Sequence, residues 1–121
     1  MFVIGTHGPD QPNLAGLPFV ALKGSVDSGE FPGEAPTAFL MQEAVYLGDR
    51  RTDLHQVKPV GLPPVGEVVE YLTGHGLSVV VCEPCAVARG MGEADLPEWA
   101  RLGGAADLAT LSKAHQVTLT F

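Results

Sequence analysis

Positive charge is scarce in this chain. Seven lysines and arginines stand against fourteen aspartates and glutamates, a net charge of -7 over 121 residues. The basic residues are scattered and form no stripe, which excludes the footprint that a phosphate backbone requires, so no direct nucleic-acid partner is expected. Long apolar runs are missing as well. No stretch approaches the roughly 20 residues of a membrane span. The N-terminal stretch MFVIGTHGPD has neither a basic n-region nor an apolar segment long enough for a secretory signal. These absences point to a cytoplasmic protein with no membrane partner. Cysteine is limited to Cys82 and Cys85, and in a reducing compartment so close a pair points to chemistry before it points to a structural staple.

Charge of either sign is sparse. Charged residues make up 17% of the chain, against a usual share of about 25%. Hydrophobic residues reach 45%, and the mean hydropathy is +0.18. That is more apolar surface than a monomer of this size hides easily, and self-association is the simplest remedy. The length suits one domain, residues 1–121, with a real core and no room for a second.

No repeat, charge block or low-complexity tail interrupts the chain. Phe2 to Thr6 reads as a buried strand stopped by His7-Gly8-Pro9-Asp10. A helix is expected from near Leu17, which puts Pro18 in its first turn, to Asp27–Gly29. After a Pro/Gly loop, Thr37 to Met41 forms a second strand, and Gln42 to Gly48 a short helical turn. Asp49 to Pro64 is a long polar, proline-rich loop, of the kind that is often functional. Val65 to Thr73 is an amphipathic helix closed by Gly74 and Gly76. Leu77 to Val81 is a β-branched strand, apolar on both faces apart from Ser78, as in a covered parallel sheet. A short helix follows from Pro84 to Arg89, then another helical piece over Leu96 to Leu102 and a longer helix over Ala105 to Ala114. Val117 to Phe121 alternates as a last strand. Alternating strands and helices predict the α/β class with a mostly parallel sheet.

The stretch VVVCEPCAVARG, residues 79–90, carries the chemistry. Cys82 stands at the carboxyl end of a predicted strand, where ligands gather in open α/β sheets, and faces the start of a helix. Free N–H groups there favour an anion and are expected to lower the thiol pKa. Glu83 opposes this, and Arg89, four residues after Cys85, can restore positive potential. The plain alternative is a pair of packed thiols, since free cysteines are often buried. A structural zinc site needs four ligands. Here one cysteine pair is joined only by the dispersed His7, His55, His75 and His115, so no metal is expected, and no other cofactor. The CEPC stretch matches the CxPC of thioredoxin-like oxidoreductases, but it lies in the last third of the chain, which argues against that fold. No GxxxxGK[ST] is present, and TGHG precedes a strand where a nucleotide loop would follow one.

Three stretches together resemble the DsrE/DsrF-like sulfur-relay family: FVIGTHGPDQPNLAGLPFVAL, VVEYLTGHGLSVVVCEPCAVARGM and EADLPEWARLGGAADLATLSKAHQVTLTF. The most specific feature is a strand-end cysteine followed eight residues later by the glycine of an Arg-Gly pair, here Cys82 and Arg89-Gly90. The second cysteine is similar to a DsrE-like branch with a CxPC motif, of the type labelled "predicted peroxiredoxin". The resemblance implies a three-layer α/β/α sandwich with a five-stranded, mostly parallel sheet, and assembly as a homo-oligomer, a trimer or hexamer. It also implies that Cys82 carries sulfur as a persulfide between donor and acceptor proteins, as a sulfur carrier or sulfurtransferase. The alternative is a thiol-disulfide or redox-sensing role for Cys82 and Cys85 together. His7, Arg89 and Glu43 are candidate pocket neighbours. Gln42 and Glu43 also have a plain reading as loop or helix-cap residues.

Overall fold

The computed structural model describes all residues, 1–121. Five strands form one parallel sheet: β1 (Phe2–Gly5), β2 (Thr37–Leu40), β3 (Ser78–Cys82), β4 (Ala100–Gly103) and β5 (Thr118–Thr120), in the order β4-β3-β2-β1-β5. The helices are α1 (Pro12–Ser28), α2 (Val65–Thr73), α3 (Glu83–Ala88) and α4 (Ala105–Ala114). Strand parity sorts the side chains into two layers. Val3, Ala38, Leu40, Val79 and Val81 pack with Phe19 and Leu22 of α1, Val68 and Leu72 of α2 and Ala86 of α3 in a core of 19 residues. On the opposite face Phe2, Phe39 and Val80 form a small cluster covered by Leu108 and Leu111 of α4. The result is a three-layer α/β/α sandwich, thick on one side and thin on the other. No helix is long and apolar enough to cross a membrane.

Two expectations need correction. α1 begins at Pro12, not near Leu17, so Pro18 lies inside it. Pro12 starts the helix well because a first-turn N–H has no partner to lose. Pro18 forfeits one internal hydrogen bond, and its buried ring packs against Gly5 of β1 in return.

Leu96 to Leu102 is not helical. After a single 3-10 turn at Glu93–Asp95 the chain becomes β4, paired with β3 in the register Val79↔Ala100 through Cys82↔Gly103. Leu96, Trp99 and Leu102 recur every third residue and imitate a helix. Pro97 lacks an N–H, and the free edge of β3 offers a ladder instead; the Val79 amide donates to the Trp99 carbonyl at 3.0 Å. Gln42–Gly48 forms as expected, but as a 3-10 helix.

Candidate thiol site at the end of β3

β3 ends at Cys82 and passes into α3, whose Ala86 is buried in the thick layer. Its neighbour β4 ends at Gly103 and passes into α4, on the other face. Adjacent strands whose continuations leave on opposite sides open a crevice at their carboxyl ends, the topological switch point where α/β sheets bind ligands. Cys82 and Gly103 are register partners at that point. Gly103 is required there: a Cβ would fall 2.5 Å from Val80 Cγ1 and would collide with the Asp107 carboxylate. Asp107 accepts the Gly104 N–H at 2.9 Å and an Arg101 Nη2 hydrogen at 2.8 Å, which fixes the start of α4 beside the cysteine.

Cys82 and Cys85 are both half-buried and unbridged. Burial pushes the Cys82 thiol above its ordinary range, and hydrogen bonding to the adjacent Cys85 thiol adds to this; the Cys85 amide and the Arg89 charge pull the other way. The expected lowering by the helix start is therefore overturned. α3 has only six residues, so few peptide dipoles align behind it. Pro84 removes one first-turn donor, which leaves the Cys85 amide as the backbone group acting on the sulfur.

Arg89 ties this site together. Its Nε and Nη2 donate to Glu43 Oε1 at 3.1 and 2.7 Å, and its Nη1 donates to the Cys85 carbonyl at 3.1 Å. Glu43 is thus the ion-pair partner of Arg89. Its position depends on a sharp bend after β2. Gln42 holds a left-handed φ of 54°, and a Cβ on Gly8 would come within 2.6 Å of the Glu43 carbonyl oxygen. His7 follows β1, two strands from β3, and hydrogen-bonds to neither cysteine; its Nδ1 lies 3.3 Å from Thr6 Oγ1. That hydroxyl donates to the Phe121 carbonyl at 2.8 Å, so His7 Nδ1–H is the donor in its own bond.

Gly103 and Asp107 escaped the sequence reading because β4 did. The available signal was the Gly103-Gly104 pair ahead of a helical pattern. Neither cysteine lines a cavity. The largest hollow, a groove of about 480 Å³ between the Asp49–His55 loop, α2 and Trp99, lies elsewhere, and its acids and bases pair with one another, Asp49 with Arg51 and His55 with Glu70. No three His, Cys, Asp or Glu side chains converge as metal ligands.

A sequence model of the DsrE/DsrF-like family matches residues 1–121. Similar curated proteins are uncharacterised: MJ0989 of Methanocaldococcus jannaschii is 32% identical over 69% of this chain and 68% of its own length. MK0008 of Methanopyrus kandleri is 30% identical over 74% and 69%. MJ0760 of M. jannaschii is 30% identical over 87% of this chain, which spans only 36% of that longer protein. Among solved structures, the ychN protein from E. coli superposes with a TM-score of 0.75 at 21% identity, covering 99% of this chain and 97% of its own. MTH1491 from Methanobacterium thermoautotrophicum, a protein of unknown function, gives 0.66 at 14% identity over 99% and 96%. At these identities the two structures speak for the fold alone.

With its thiol pKa raised, Cys82 is mostly neutral at pH 7, and its ionisation comes at higher pH than that of a free cysteine. Its alkylation rate by iodoacetamide, followed by peptide mass spectrometry, should keep climbing beyond the ordinary thiol pKa of about 8.5. A plateau reached below that pH would show that burial does not govern this thiol.

Proposed function

The chain belongs to the DsrE/DsrF-like family, and on that premise we propose that it is a sulfur carrier, loaded as a persulfide on Cys82 and unloaded onto a thiol acceptor. The family is one linked to sulfur relay. The observation that carries the reading is the seat of Cys82 at the β3–β4 switch point, half-buried and backed by Cys85 and Arg89. A thiol that lines no cavity suits a donor and an acceptor that are themselves proteins, each presenting a sulfur on its surface. The chemistry requires reduced thiols, and a cytoplasmic setting is proposed with it.

In loading, the Cys82 thiolate attacks the outer sulfur of a donor persulfide. The donor S–S bond breaks, the donor leaves as a thiolate, and Cys82 holds the new S–S bond. In delivery an acceptor thiolate attacks that outer sulfur and Cys82 departs as a thiolate. Neither step changes the total oxidation state. The adjacency of the two thiols supports a second reading. Cys85 attacks the inner sulfur, closes a Cys82–Cys85 disulfide and expels hydrosulfide, and a dithiol reductant must then reopen the bridge.

Intact-mass analysis after exposure to a protein persulfide, without reductant, should show a gain of one sulfur atom. Cys82→Ser should abolish the gain, and Cys85→Ser should retain it while preventing the intramolecular disulfide. Loading of Cys82→Ser with none in Cys85→Ser would reverse the roles.

A second copy of this chain is the partner that the burial pattern calls for. Buried residues number 33, and none lies beyond Met91. α4 and β5 contribute no buried residue, and Val117 and Leu119 stand more than a third exposed. Members of this family are commonly oligomeric. We propose a trimer or hexamer in which the α4–β5 side is covered. Light scattering at micromolar concentration should give a multiple of 12.7 kDa, and a monomer there would contradict the proposal.

A further inference from the structure

We infer that Glu43 is a positioning residue that restrains the Cys82 thiolate through Arg89: its carboxylate holds the one guanidinium acting on the thiols and cancels part of its charge. The inference rests on the proposed role of Cys82 as the reactive thiol. It begins from geometry. Arg89 extends from the end of α3 back along the helix, with Nη1 on the Cys85 carbonyl and both Nε and Nη2 on a single Glu43 oxygen. The arginine side chain is 21% exposed and the glutamate 52%, so the cation is the more sheltered partner and the carboxylate the one that solvent reaches. The charged and titratable groups acting on Arg89 are Glu43 and Tyr46 from the 3-10 segment and Cys85 from its own helix. Around Cys82 stand Cys85 and Arg89 of α3, its chain neighbour Glu83, and the Asp107–Arg101 pair at the start of α4. Glu43 hydrogen-bonds the guanidinium and neither cysteine, so the contact through which it reaches the thiols is Arg89.

The backbone keeps the arrangement rigid. The left-handed Gln42 is strained for an L-residue, and such strain persists only where the surroundings enforce it. Here the bend is pressed against Gly8, whose missing side chain admits the Glu43 carbonyl. The connections after β1, β2 and β3 therefore meet at the Glu43–Arg89 pair.

A restraint of this kind has a chemical use. A thiol kept neutral at rest reacts slowly with stray electrophiles, because the thiolate is the nucleophile. Sharing Arg89 with Glu43 leaves Cys82 neutral and basic at rest. The guanidinium remains close enough to take up negative charge when Cys82 becomes the leaving group.

The test is the pH profile of Cys82 alkylation by iodoacetamide, resolved by peptide mass spectrometry, in the full-length protein without any sulfur donor. Glu43→Gln keeps an acceptor for Arg89 but removes the charge. It should speed alkylation at pH 7 about 3- to 10-fold, as expected when a partly exposed opposing charge is removed from the guanidinium. Arg89→Met should slow it by a similar factor, and Arg89→Lys, which restores a cation, should recover part of that loss. The double variant should match Arg89→Met. A Glu43→Gln rate equal to or below wild type, or an acceleration that survives in the Arg89→Met background, would overturn the inference. Thermal unfolding of each variant identifies any rate change that comes from loosened structure, and Arg89→Lys then decides in place of Arg89→Met. These rates need no persulfide, so a protein that never loads sulfur would defeat the carrier reading while leaving this test intact.

Discussion

The pairing of β3 with β4 is the contact on which the site depends. It places Cys82 against Gly103, at the one position where two neighbouring strands send the chain to opposite faces of the sheet. Without β4, Cys82 would end an exposed edge strand, with no second helix start beside it. The pairing in turn requires a residue at 103 without a side chain, because Val80 and Asp107 already fill the space a Cβ would take. Fold and chemistry meet in that glycine.

Around the cysteine the electrostatics are restrained. A helix of six residues containing a proline near its start offers little positive potential, and burial acts against ionisation. The Arg89 cation is already engaged by the Glu43 carboxylate. Under the carrier reading, a protein partner docked at the site would exclude water from it, and the Arg89 charge would count for more as the local dielectric falls.

Much of the fold was legible in the residues. The helices at Val65–Thr73 and Ala105–Ala114 match the periodic stretches to the residue, because each is bounded by glycine, proline or a polar break. β3 and the position of Cys82 followed from a β-branched run that stops at a proline. The failures have physical causes. Pro12 and Pro18 both suit a helix start, and tertiary packing on Gly5 retains the second inside the helix. β4 has four residues and an imperfect apolar alternation, so its identity comes from the partner strand rather than from its own side chains. The Glu43–Arg89 pair spans 46 positions in the chain, and no local pattern encodes it. His7 looked similar in sequence, as a polar residue after a strand, but strand order placed it two ladders away.

The central claim is that sulfur is carried through Cys82 and passed on, not released. A single-turnover chase decides it. The protein is loaded with isotopically heavy sulfur from a persulfide donor, freed of that donor and mixed with a thiol-bearing acceptor protein. The account predicts that the heavy sulfur appears on the acceptor as a persulfide while Cys82 and Cys85 return as free thiols. Recovery of the label as free sulfide, with a Cys82–Cys85 disulfide left behind, would contradict it.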